Sequence, residues 1–124
     1  MYTEWHEKRA RSLVRGFSYD VDATEPLETL RGLAWDDYYA REGYRRTEDA
    51  VVVNWLRHQR TPYEWNLQLV AERQGAVRSS RAEELAYEIV RTACSEAIAQ
   101  RFPELAASAA RVSQSRYLNG TRVW

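Results

Sequence analysis

Six apolar segments with helical spacing follow one another along this 124-residue chain, and most carry a helix-start or helix-stop signal. No convincing strand pair or hairpin signal competes with them. That succession predicts an all-α fold, a compact bundle of about six helices in a single domain covering residues 1–124. The length suits one domain with a proper apolar core, without disulfides or a metal.

The clearest boundary is Thr61-Pro62-Tyr63-Glu64. A threonine at the N-cap, proline in the first turn and glutamate three residues after the cap form a capping box. A fourth helix over 62–74 follows, burying Leu67, Val70 and Ala71, with Gly75 as its stop. Ser80-Arg81-Ala82-Glu83 is a second capping box. It opens a long fifth helix over 80–101 with a stripe of Leu85, Ala86, Ile89, Val90, Ala93, Ala97 and Ile98. Small residues at 86, 93 and 97 invite close approach by a neighbouring helix.

The remaining helices are placed by the same signals. The first covers 3–17, with His6, Ala10, Leu13, Val14 and Phe17 on one face, and a polar link over 18–24 follows it. Pro26 suits the first turn of a second helix over 26–42, which Gly43 stops. Thr47 caps a third helix over 47–59, with Glu48 and Asp49 where the helix dipole favours negative charge. Val51, Val52 and Val53 favour a strand by propensity, but the cap and the spacing of Trp55 and Leu56 favour helix. Pro103 starts a sixth helix over 103–117, leaving 118–124 as a flexible tail.

Composition narrows the function classes. No stretch approaches the ~18 unbroken apolar residues of a membrane span. The N-terminus has no apolar run, and Cys94 is the single cysteine, which points to the cytoplasm. Net charge is zero, split as −3 over residues 1–50 and +3 over 51–124. After Glu104 the only charges are Arg111, Arg116 and Arg122. This mildly basic end falls short of the strong stripe of a dedicated nucleic-acid binder. Seventeen arginines against one lysine match the codon bias of a GC-rich genome. Five tryptophans and eight tyrosines are the second bias, and these residue types dominate interface hot spots.

No catalytic or cofactor motif is present. The five glycines stand alone, so there is no phosphate-cradling loop, and one cysteine with two histidines cannot build a zinc site. An Arg–His pair with four to six intervening residues, as some helical ribonucleases use, is absent because positions 51–53 before His58 are valines. No cofactor and no metal are expected.

The densest polar cluster runs from Asn54 to Tyr63. A hydrolase would use His58 as general base, Arg57 or Arg60 to stabilise an anion, and Tyr63 as proton donor. The structural alternative reads Arg57, His58 and Arg60 as cations at a helix C-terminus and Thr61 as a cap. Asp36-Asp37, beside Trp35, Tyr38 and Tyr39, is the second cluster. Adjacent carboxylates diverge on a helix, and Arg41, Arg45 and Arg46 are ready ion-pair partners, so the cluster reads first as plain core plus solvated face, next as an aromatic contact patch, and last as a metal site. Glu84 and Glu88 read as a solvated face, and Cys94 as a small buried residue.

These features predict a non-enzymatic interaction module that binds a protein partner or itself. An inhibitor or adaptor from a phage or mobile element has this size and composition. The contact residues expected are Arg57, His58, Arg60, Trp35, Tyr39 and Arg116. The alternative is nucleic-acid binding through the Arg-rich second half, where Arg116, Tyr117, Arg122 and Trp124 combine charge with stacking. A helix-turn-helix reading of the third and fourth helices is weakened by Glu64, which would face phosphates.

Overall fold

The computed structural model describes residues 2–16, 19–71 and 80–111. Among them are five α-helices: α1 Tyr2–Gly16, α2 Leu27–Glu42, α3 Asp49–Arg60, α4 Tyr63–Ala71 and α5 Ser80–Arg101. A 3₁₀ turn, Pro103–Leu105, leads into helical residues 106–111. The described residues contain no strand, so the all-α expectation holds. The expected ends of the fourth and sixth helices, Phe17, and the tail at 118–124 lie outside the described residues.

α5 is the spine, and two apolar clusters meet along it. Toward its N-terminal half, Ala86, Val90 and Cys94 pack with Ala10 and Leu13 of α1, Tyr63 and Val70 of α4, and Tyr19. Toward its C-terminal end, Ile98 and Phe102 pack with Leu27, Leu30 and Ala34 of α2, Val52, Val53 and Leu56 of α3, and Leu105 and Ala109. Leu30, Leu56, Ile98 and Leu105 are fully buried. Each such side chain contributes about 1.5–3 kcal/mol relative to exposure. Ala10 and Ala86 are both at 0% exposure, consistent with the close helix approach expected from small residues on α5.

Packing overrides propensity in α3. Val51, Val52 and Val53 are all buried, so a broad arc of this helix faces the core. That burial outweighs the rotamer cost of three β-branched residues in a helix.

Several boundaries differ from the sequence expectation. Thr47 is not the cap of α3; Glu48 occupies the N-cap and the helix starts at Asp49. Pro26 lies at the N-cap of α2 with ψ 156°, one position before the first turn, and its carbonyl accepts the N–H groups of Thr29 and Leu30. The link after α1 is not simply polar, because Tyr19 and Val21 are buried in the two clusters. Pro103 starts a 3₁₀ turn rather than an α-helix. It also ends α5, since the residue before a proline is pushed out of the helical region, and Phe102 sits at φ −131°, ψ 85°.

The glycine that follows α2 and the glycine within it contrast. Gly43 takes φ 82° and donates its N–H to Tyr39 O at 2.9 Å, a left-handed stop that any side chain would strain. Gly32 has no such need. It lies in the middle of α2, and a Cβ there meets no described atom within 4 Å. A glycine in a helix interior costs about 0.5–1 kcal/mol relative to alanine.

Candidate functional site

The polar cluster at residues 54–63 forms the junction between α3 and α4, and most of it is consumed by internal bonds. Arg57 is 5% exposed. Its Nη2 donates to Asn54 Oδ1 at 2.7 Å, and its guanidinium lies 5.2 Å from the centre of the Tyr63 ring. Tyr63 is itself 3% exposed. Thr61 Oγ1 donates to Arg57 O at 2.5 Å and accepts the Tyr63 N–H at 3.3 Å. The threonine therefore joins the end of α3 to the start of α4, but through the Tyr63 N–H and not the Glu64 N–H that a capping box would use. The Glu64 carboxylate departs from the box too, because it engages His58 Nδ1 at 2.9 Å.

Beneath the junction, Asn66 is fully buried. Its Nδ2 donates to Pro62 O and its Oδ1 accepts the Tyr19 hydroxyl, both at 2.7 Å. Burial pushes the Tyr19 hydroxyl pKa up, reinforced by the neighbouring Cys94. Burial likewise raises the Cys94 thiol to about 11, although the Thr61 hydroxyl bonded to it and Arg57 act the other way. A thiol so protonated and enclosed is not a nucleophile at neutral pH.

Arg60 closes the far side as a clasp. Its guanidinium donates to Glu25 Oε1 and Oε2 at 3.0 and 2.8 Å and to Asp22 O at 3.1 Å, and it lies 5.2 Å from the Trp55 ring centre. The Asp22 N–H returns a bond to Arg60 O at 2.8 Å. The hydrogen bond from Arg60 is the main cause that holds the Glu25 carboxyl at about 2. The clasp fixes the segment before α2 onto the end of α3.

His58 is partly exposed, with 26% of its side chain accessible, and Asn54, Gln59 and Glu64 stand further out in solvent. Its ring meets Tyr63 edge-on at 5.1 Å. Burial lowers its pKa, and Arg57 acts in the same direction while the Glu64 bond opposes both. His58 is thus a neutral imidazole at pH 7, but its proposed helpers Arg57 and Tyr63 face inward.

The second cluster behaves differently. Trp35 Nε1 donates to Glu48 O at 3.3 Å and ties α2 to the start of α3. The Tyr38 and Tyr44 hydroxyls are 2.8 Å apart, with their rings at 5.6 Å and 86°. Arg46 and Arg41 lie 5.5 and 5.9 Å from the centre of the Tyr38 ring. Around them run the ion pairs Arg41–Asp37, Arg45–Asp36 and Arg46–Glu48, at 3.2, 3.5 and 2.9 Å. The two aspartates therefore have arginine partners. Outward from this framework stand Tyr39 at 52% and Tyr44 at 55% exposure, with Leu33 at 42% one and a half turns earlier than Tyr39.

Elsewhere, Glu88 is not on a solvated face: it pairs with the buried Arg91 one turn along α5. The side chains of Glu84, Ser80 and Glu83, and all of Arg116, lie outside the described residues. Among the described residues no group of three or more His, Cys, Asp or Glu is placed to hold a metal, and no helix is long and apolar enough to cross a membrane. One groove escaped the sequence reading. It measures about 450 Å³ and is lined by Thr24, Glu25, Pro26, Leu27, Arg101, Phe102 and Glu104. Local sequence carries no sign of it, because it arises where the start of α2 meets the end of α5. No protein family, curated protein or solved structure matches this chain.

Proposed function

We propose that this protein is a non-enzymatic helical interaction module whose contact surface is the outer strip of α2 and the turn that follows it. One observation carries the reading. Leu33, Tyr39 and Tyr44 are three of the four exposed large hydrophobic residues among the described ones, and they are concentrated on this element. The fourth, Trp65, lies on α4. Tyrosines framed by arginines are the residue types that carry interface energy.

The hydrolase reading has less to stand on, since Arg57 and Tyr63 are buried around His58. The nucleic-acid reading relies on the arginines of the second half, of which Arg57, Arg60 and Arg91 bond within the fold. A binder or inhibitor acting in the cytoplasm suits a chain with one buried, unbridged cysteine.

The test is capture of partners from native extract by the full chain, compared with Tyr39→Ala and Tyr44→Ala variants of unchanged helicity. The expected result is a defined partner, or self-association, weakened at least about tenfold by the variants, the loss typical of interface hot spots. A strictly monomeric protein that captures nothing refutes the proposal.

A further inference from the structure

We infer that the outer face of α1 is a second contact surface, one that binds the phosphate backbone of a nucleic-acid duplex. It is separate from the α2 strip and does not depend on it. By helical spacing Lys8, Arg11, Ser12 and Arg15 form a strip opposite the buried Ala10 and Leu13, and Arg9 lies beside it. Lys8, Arg9, Arg11, Ser12 and Arg15 are all exposed.

The bonding state of the cations singles out this face. Every described arginine beyond α1 donates to an acceptor inside the fold, be it a carboxylate, another side-chain oxygen or a backbone carbonyl. Among the described residues, Lys8, Arg9 and Arg15 have no such acceptor and no ion pair. Arg11 has one partner, Glu7, at 3.4 Å on the surface. An exposed pair of that kind is weak and yields to a phosphate. Glu4 and Glu7 precede the strip, and no acid follows them until Asp20. A codon bias toward arginine raises the number of arginines throughout the chain, but it does not gather the unbonded cations on one helix.

The chemistry of the strip selects the partner. From Lys8 to Arg15 the exposed residues are cations and one serine. A protein interface is built around apolar and aromatic anchors, and none stands among them. A helix that lies on a membrane buries its apolar side in lipid, whereas Ala10 and Leu13 of α1 are already in the core. Nucleic-acid interfaces are polar and strongly positive, as this strip is. With no aromatic ring in it for an unpaired base to stack on, a duplex suits it better than a single strand.

Length agrees with that choice. Lys8 to Arg15 covers about 10 Å of helix axis, and the same length of duplex carries about six phosphate charges. The cations therefore reach separate phosphates. Contacts of this type fix position without reading bases, so binding is indifferent to sequence.

Fluorescence anisotropy of a labelled, mixed-sequence DNA duplex titrated with the full chain tests this. The expected dissociation constant is about 10⁻⁴–10⁻⁶ M at physiological salt. Three free cations on three phosphates make the affinity fall about fortyfold between about 50 and 200 mM salt. In the double variant Lys8→Gln, Arg15→Gln that fall shrinks to about fourfold and binding weakens at every salt concentration. Arg101→Gln and Arg111→Gln, whose guanidiniums are bonded inside the fold, leave the salt dependence as it was.

Circular dichroism melts confirm that each variant folds. Absence of duplex binding at low salt overturns the inference, as does a salt dependence indifferent to the double variant. Tighter binding to polyglutamate or to vesicles of anionic phospholipid than to the duplex also overturns it, because the strip then serves another kind of acidic partner. Capture from native extract tests the α2 surface by itself, so failure of one surface is told apart from failure of the other.

Discussion

The α3–α4 junction and the outer strip of α2 with its following turn are built from the same kinds of residue and meet opposite fates. Each has arginines, tyrosines, acids and a tryptophan within a short stretch. At the junction Arg57 stacks on Tyr63 with both below 6% exposure, and Arg60 is held by Glu25 and Asp22. On α2 and its turn, the arginines pair with acids at the surface while Tyr39 and Tyr44 stand half exposed. The difference is topological. The junction faces α5 and the segment after α1, whereas the outer strip of α2 has its back to α3 and its front to solvent. Similar composition therefore supplies a structural knot in one place and an available surface in the other.

The comparison is broken most forcefully at the junction. Arg57→Ala removes a buried side chain and its stacking and leaves the partner groups short of bonds, so a loss of about 2–4 kcal/mol is expected. Urea unfolding with unchanged m is the measurement. Asn66→Ala leaves the Tyr19 hydroxyl buried without its acceptor and costs about 1–3 kcal/mol by the same measurement. If either change is neutral, the junction is not the knot described here.

Changes on α2 sharpen the contrast. Gly32→Ala raises monomer stability by about 0.5–1 kcal/mol, visible as a higher midpoint in dilute solution. Tyr39→Ala stays within about 0.5 kcal/mol of wild type in stability, and Tyr44→Ala, which also loses its edge-on contact with Tyr38, costs about 0.5–1.5 kcal/mol, while both weaken association.

The smallest effect is the pH response of His58. Its folded pKa lies below the ordinary value, chiefly because burial disfavours the charged ring. The unfolded state therefore takes up its proton first as pH falls. This contribution to stability is present above the unfolded pKa and is lost on acidification toward the folded one. Stability should decline less steeply between pH 7 and 5 in His58→Gln than in wild type. Glu64→Gln removes the group that opposes the shift, so the His58 resonance in an NMR titration should move at still lower pH.

Much of the fold was legible in sequence for local reasons. Gly43 stops α2 because a left-handed residue is required there, and Pro103 stops α5 because residue 102 cannot remain helical before it. The span of α5 follows from its stripe and start signal. The misplaced cap at Thr47 shows the limit of such signals: residue type marked the region, but Glu48 occupies the N-cap without a side-chain bond. The buried roles of Tyr19 and Val21 were hidden because a short irregular segment has no period to read.

The chain alone thus determined that it forms helices, roughly where they start and stop, and that Cys94 is interior, since these follow from backbone sterics and periodicity over a few residues. It also flagged residues 54–63 and 35–39 as unusual. Only tertiary structure decided what each is. The bonds that absorb the first cluster join Tyr19 to Asn66 and Glu25 to Arg60, partners 47 and 35 residues apart. Whether an arginine stacks inside or a tyrosine stands in solvent depends on which distant segment arrives to cover it, and local sequence does not encode that arrival.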